Sequence, residues 1–261
     1  AAAAGPRIVG RGTAAAKSAQ DPLRAVAQAQ RLTTELRQSL FVALMGAEDF
    51  EHASERLALV AASAKAGPDE ACLILFHCAV REKVPNPFYE HVASALCARP
   101  QPWGRRFAHC LKRAAVQNLQ QAHAFGLRAT VGLAELVAAL VAAPSVKVPL
   151  AVLRFVKFGE AAPGGGPPGG VLGLLLRHLS ESLLRRAVDA EAAAEAFGAL
   201  RRYDDVREGM LLVLDGLVRP RLPGRAQAPE LHQKLKVVRQ ELAKGPVEKP
   251  AKAAKASPRF L

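Results

Sequence analysis

A chain of 261 residues can hold one large domain or two ordinary ones, and half of it is hydrophobic, enough for a substantial core. Aromatic residues make up 5% while Ala and Leu dominate, which argues against a sheet architecture and for helices. The net charge of +13 fits polyanionic surroundings, and no uninterrupted apolar run reaches the roughly 18 residues of a membrane span.

The chain opens AAAAGPRIVG without a Met, as expected of a piece of a longer polypeptide. Residues 1–31 are Ala/Gly-rich without a sustained period and read as a flexible linker. Leu36, Leu40, Phe41 and Leu44 mark a first helix, which Gly46 ends. Asp49 is placed to cap the second, with Phe50, Ala53, Leu57 and Val60 facing inward. Gly67 and Pro68 break the chain, and Asp69 is the expected cap of the third helix. There Cys72, Leu75, Phe76 and Ala79 recur at helical spacing. Pro85 forbids continuation, since it has no amide hydrogen and crowds the preceding turn. Asn86 then caps a fourth helix, Pro87 takes its first position at no cost, and Phe88, Val92 and Leu96 form its apolar stripe.

Pro100 and Pro102 punctuate before a fifth helix that runs from Trp103 to about Gln121, with Phe107, Cys110 and Leu111 inward. Leu133, Leu136, Val137 and Leu140 mark a sixth, stopped by Pro144, and Leu150, Leu153 and Val156 a seventh. The stretch AAPGGGPPGG (161–170) reads as a flexible loop. Beyond it, Leu172, Leu175, Leu176 and Leu179 begin another helical set that continues over 189–202 and 203–219. Leu231, Leu235, Val238 and Leu242 mark a last amphipathic helix, and 246–261 reads as a basic, disordered tail by composition. The fold class is all-α, built from stacked antiparallel helical hairpins. A body at 32–160 is followed by a C-terminal helical extension at 171–245 packed on it.

No residue is expected to be catalytic, to bind a cofactor or to hold a metal. Cys72, Cys78, Cys97 and Cys110 lie in helical patterns without a CxxC, which suits free, buried thiols. A zinc site through Cys72, Cys78, His77 or His109 fails on spacing, because these side chains leave different faces of their helices. The Gly-rich stretch lacks the Lys-Ser/Thr of a phosphate loop, no Ser sits in GxSxG, and the seven His are scattered. The candidates that remain are contact residues. Glu48, Asp49 and Glu51 form either an acidic contact patch or a helix cap with favourable charge at the helix N-terminus. Asn86 and Tyr89 form either a recognition corner, with Tyr89 partly exposed, or a cap and its core support. Trp103 either stacks on a partner or packs under a neighbour. Arg105, Arg106, Lys112 and Arg113, with Lys249, Lys252 and Lys255 of the tail, are candidates for RNA contact, against the reading of solvated charge. Residues 225–261 are the most basic part of the chain for their length.

The run LRQSLFVALMGAEDFEHASERL (36–57), followed by HCAVREKVPNPFYEHVASALC, resembles the MA-three helical domain. It is most similar to the version found in nucleolar proteins that pair a MIF-four-G with an MA-three domain, the suppressor-of-glycerol-defect family. The resemblance is carried by Ala47, Glu48, Asp49, Phe50, Glu51 and Ala53 at the first corner, and by Glu82, Lys83 and Asn86 to Tyr89 at the second. LRFVKFGE (153–160) and Val206 to Met210 also carry it, so it covers roughly residues 32–245 and only the MA-three half. A splicing factor of the same two-domain plan, or a translation-initiation regulator, is the alternative, and Asn86 to Tyr89 favours the nucleolar family. The resemblance implies a non-enzymatic assembly factor in the nucleolus of the nucleus, serving small-subunit (18S) rRNA maturation. Its implied partners are pre-ribosomal proteins, rRNA and a DEAD-box RNA helicase similar to initiation factor four-A, with no membrane. Some MA-three domains contact that helicase through an acidic loop between long helices. The corresponding loop here, QQAHAFGLRAT (120–130), has no acid and one Arg128.

Overall fold

The computed structural model describes residues 22–146, 148–156 and 168–245, and among them there is no strand. The helices are α1 (22–29), α2 (Glu35–Met45), α3 (Phe50–Ala62), α4 (Gly67–Ala79), α5 (Phe88–Ala98), α6 (Trp103–Gln120) and α7 (Leu127–Ala142). After them come α8 (Gly170–Arg186), α9 (Ala190–Gly198), α10 (Asp204–Val213) and α11 (Pro229–Ala243). Short 3-10 turns lie at Leu150–Phe155 and Ala199–Arg202, and α10 widens into a π-helical turn at Leu214–Val218. The all-α expectation holds.

Local chemistry starts and stops these helices. The Thr34 hydroxyl caps α2 by accepting from Arg37 N–H at 3.3 Å, and Gly46 closes it. Asp49 Oδ1 accepts from His52 N–H at 2.7 Å to open α3, and Asp189 does the same for α9 through Ala192 N–H at 2.7 Å. Asp69 does not cap α4 as expected. The helix begins two residues earlier, at Gly67, because this residue has no Cβ. A Cβ there would lie 2.0 Å from the Ala61 carbonyl oxygen, so only glycine lets α4 start hard against the end of α3. Asp69 sits instead inside the first turn and pairs with Arg113 of α6.

The short connections fold each helix back onto its predecessor. The pair α2–α3 lies on α4 and α5, these lie on α6 and α7, and α7 is covered by α8. On the far side α8 meets the π turn and α10, and α11 closes the stack over α9. One apolar cluster runs through all of it, from Ala27 to Leu242. Cys72, Cys78, Leu96 and Phe107 are buried, as their spacing predicts. None of the described helices is long and apolar enough to cross a membrane.

Three boundaries differ from the sequence reading. The linker expected over 1–31 does not extend that far. Residues 22–29 are helical, with Ala27 and Leu32 buried, and His77 of α4 meets Gln30 Oε1 at 2.8 Å, while residues 1–21 lie outside the described residues. The helix expected over Leu150 to Val156 is only a 3-10 turn, Leu150–Phe155, opened by Pro149 and closed where Val156 turns extended. The 161–170 loop reaches into structure at its end: Pro168 is buried and α8 begins at Gly170, whose φ of 58° favours glycine. Residues 161–167 and the tail at 246–261 lie outside the described residues.

Gly67→Ala is expected to cost about 2 kcal/mol or more in urea unfolding, through overpacking at the α3–α4 corner. Gly224→Ala, where a Cβ meets nothing within 4 Å, is expected to be close to neutral. Burial, with Arg81 and Arg37 nearby, lowers the pKa of His77 from 6.5 to about 4. The unfolded chain therefore takes up this proton first. The contribution of His77 is complete above pH 6.5 and is lost as pH falls towards 4. His77→Gln is expected to flatten the stability profile across that window relative to the parent chain. An unaltered difference between pH 7 and pH 4 would show the ring to be irrelevant.

Candidate protein and RNA interface

The corners singled out in the sequence come together in space. The α2–α3 corner carries Glu48, Asp49 and Glu51, all exposed, and the α4–α5 corner carries Asn86. They touch through Phe50, whose ring centroid lies 5.3 Å from that of His91 on α5. Beneath this contact Tyr89 donates its hydroxyl to Glu82 Oε1 at 2.6 Å and lies 3.8 Å from Met45 Sδ. Met45 and Phe50 remain 40% and 36% exposed, so two apolar side chains sit beside the acidic ones.

Four expectations at these corners are corrected. Tyr89, read as a partly exposed contact residue, is 2% exposed, and Phe88, read as core, is only half-buried. The inner face of α5 runs Tyr89, Val92, Ala93, Leu96: Val92 and Leu96 are inward as expected, and Tyr89 takes the place expected of Phe88. Burial, then the hydrogen bond to Glu82, pushes the Tyr89 phenol well above its ordinary value, which keeps it a neutral donor. Phe50 was expected to face inward. It occupies the first turn beyond the cap, where the side chain points away from the core that Ala53 and Leu57 enter. The N-cap position of α5 falls on Pro87 rather than on Asn86 as expected; Asn86, one residue earlier, still satisfies an amide of the first turn, its Oδ1 accepting from Phe88 N–H at 2.9 Å. It also lines a cleft with Pro87, Glu90, Glu135 and Arg186.

That cleft is bridged by a residue the sequence reading missed. Arg186, at the end of α8, reaches Glu90 of α5 at 2.7 Å and lies 3.9 Å from Glu135 of α7. Ser182 donates to Glu135 at 2.6 Å and accepts from Arg186 at 3.2 Å. Residues so far apart in sequence carry no local signal of the contact. A second tie is Lys234 of α11, almost buried, which donates to the Ala187 carbonyl at 2.7 Å and so satisfies the end of α8.

The basic candidates of α6 share an outer face. Arg105, Arg106, Lys112 and Arg113 are all exposed, and Arg105, Arg106 and Arg113 border an open groove beside the start of α4 with Lys65 and His109. They are not equivalent. Arg106 donates to the Lys65 carbonyl at 2.6 Å and lies 5.7 Å over the Trp103 ring, and Arg113 is paired with Asp69. Among the described residues Arg105 and Lys112 have no carboxylate partner. Trp103 is half-buried against the core, 6.2 Å from Phe107. Lys249, Lys252 and Lys255 lie outside the described residues.

Cys72, Cys78, Cys97 and Cys110 are buried and free, and burial pushes the Cys78 and Cys97 thiols up to about 12. Among the described residues no group of His, Cys, Asp and Glu is arranged to hold a metal ion.

Asn86→Ala is expected to cost about 1 kcal/mol through the lost bond to the Phe88 amide. Tyr89→Ala is expected to cost about 3 kcal/mol or more, a large aromatic core truncation, and Phe88→Ala distinctly less. Thermal or urea unfolding of the three variants checks the order. Equal losses at Phe88 and Tyr89 would contradict the register of α5.

No family model matches the chain. It is 32% identical over 145 residues to suppressor of glycerol defect protein 1 of Schizosaccharomyces pombe, a match covering 54% of this chain and 18% of that protein. It is 31% identical over 135 residues to nucleolar MIF4G domain-containing protein 1 of Mus musculus, and 29% identical over 135 residues to the Homo sapiens protein of the same name. Each match covers 52% of this chain and 15% of the relative. The chain thus spans less than a fifth of the length of these relatives. Over about half of its own length the chain is a homologue of suppressor of glycerol defect protein 1 and the nucleolar MIF4G domain-containing proteins, in keeping with the MIF4G/MA-three type.

Proposed function

We propose that this chain is the MA-three portion of a nucleolar, non-enzymatic scaffold that serves small-subunit (18S) rRNA maturation by binding pre-ribosomal proteins and rRNA. The observation that carries this reading is the similarity, at about 30% identity over half the chain, to relatives named as nucleolar MIF4G domain proteins. The exposed α6 face supports an RNA contact made through phosphates, with Arg105 and Lys112 free to pair and Arg106 and Arg113 adding charge. Arg106 already covers the Trp103 ring, which disfavours base stacking there and favours sequence-blind binding. The joined corners supply a protein-contact surface in which Phe50 and Met45 anchor and Glu48 and Glu51 select a basic partner segment. A DEAD-box helicase is one such partner. Its contact would run through these corners rather than the acid-free loop at 120–130.

In cells depleted of the parent protein, precursors of 18S rRNA are expected to accumulate while large-subunit rRNA matures normally. Unchanged 18S maturation would overturn the assembly role. Arg105→Ala with Lys112→Ala is expected to weaken binding of single-stranded RNA several-fold at low salt. It should also make the dependence of log affinity on log salt shallower by about 1.4, the release expected for two phosphate contacts. A parent chain whose RNA affinity ignores salt would refute phosphate contact.

A further inference from the structure

A second concentration of positive charge lies away from α6, on the last helix. Arg219, Arg225, His232, Gln233, Lys236 and Arg239 border a pocket of about 360 Å³ whose floor is Leu235, itself 3% exposed and part of the core. Its walls are built rather than loose. Arg239 donates from Nη2 to Asp215 Oδ2 at 2.9 Å, and its Nε lies 2.8 Å from Oδ1, an ion pair that clamps α11 to the π turn that leads into Arg219. His232 meets the Pro223 carbonyl through Nε2 at 2.7 Å, which pins the loop carrying Arg225 against the same helix. Asp215 is thereby used by Arg239. Among the described residues no carboxylate lies within ion-pair distance of Arg219, Arg225 or Lys236. Three uncommitted cations facing one concavity repel one another in the empty pocket, and an anion placed between them relieves that repulsion.

We infer that Arg219, Arg225 and Lys236 form a pocket for the sugar-phosphate backbone of single-stranded RNA, carried on different elements from the α6 face. The inference rests on the RNA-binding part of the proposed function and extends it. The number and placement of the free cations select the ligand class. Arg219 after the π turn, Arg225 in the loop and Lys236 on α11 come from three separate segments around one concavity. Three such cations suit consecutive phosphodiesters better than the single phosphate of a modified peptide side chain. No Phe, Tyr or Trp borders the pocket and the His232 ring is tied to the Pro223 carbonyl, so the pocket offers charge and hydrogen bonds rather than a platform for bases, and binding there is sequence-blind.

The test uses the full chain and a labelled 20-nucleotide poly(U) RNA, with anisotropy titrations across a KCl series. The parent, a pocket variant (Arg219→Ala, Arg225→Ala, Lys236→Ala) and the α6 variant (Arg105→Ala, Lys112→Ala) are compared. The three pocket residues are exposed and outside the Arg239–Asp215 clamp, so circular dichroism and the melting point are expected to be unchanged. The pocket variant is expected to bind about tenfold more weakly at low salt, with a salt slope shallower by about 2, as for three lost phosphate contacts on a single strand. If the α6 variant loses affinity and the pocket variant matches the parent, the pocket inference fails while the wider RNA reading stands. If the parent does not bind RNA, both fail. Should a phosphoserine peptide bind in a pocket-dependent way while poly(U) does not, the ligand class is wrong and the inference is overturned. Should the pocket variant misfold, Lys236→Glu alone replaces it, with the same expected direction and the same outcome overturning the claim.

Discussion

The structure depends on the apolar wrap of α7. Its buried residues, Leu133, Ala134, Leu136, Val137, Ala138, Ala139 and Leu140, occupy nearly every direction around the helix axis, so a cover on one side leaves the other in water. Helices α4, α5 and α6 cover one side and α8 covers the other. Burying each such Leu or Val is worth about 1.5–3 kcal/mol, and an uncovered flank would forfeit several of these contributions at once. The chain therefore has to continue past residue 160 before its first half is complete. The helices after the Gly/Pro stretch thus belong to the same core.

Once α8 is committed to that side, polar ties fix its height and rotation. Arg186 reaches Glu90 and approaches Glu135 across three helices, and Ser182 completes the set. These groups are partly exposed, so their attraction is screened and contributes little to stability. Their effect is geometric, because a bidentate cation accepts only a narrow range of positions. Lys234 works differently. Its ammonium is nearly buried against the Ala187 carbonyl, so α11 is held where an otherwise orphaned helix end needs a donor. Through α11 the constraint passes to the Arg239–Asp215 clamp and the surface around it.

The surface follows from which charges this packing consumes. Arg37, Arg186, Arg201 and Arg239 each bridge separate elements through a carboxylate. Arg105 and Lys112 on the outer face of α6, and Arg219, Arg225 and Lys236 around α11, have no such partner among the described residues. At the joined corners the exposed Glu48 and Glu51 lie beside Phe50 and Met45.

Much of this was legible in the sequence. The helical class, the break at Gly46, the cap at Asp49 and the inward side of α6 are local matters, decided by spacing, side-chain acceptors and proline. The exposed cations of α6 were legible for the same reason, since a helix with one apolar face must put its charges on the other. Tertiary structure decided the rest. Periodicity places an apolar stripe but tolerates an error of one residue, and only the position of Glu82 and Met45 put Tyr89 inside and left Phe88 at the edge. Gly67 looked like a helix breaker because its close approach to Ala61 involves a neighbouring helix end that local spacing does not describe. Phe50 was assigned to the core because hydrophobicity alone does not reveal that His91, from another corner, partners it at the surface. Spacing within one helix determines which side chains share a face. Which face meets water, and which charge meets which, is set by contacts between segments far apart in the chain, and these exist only once all the helices are packed.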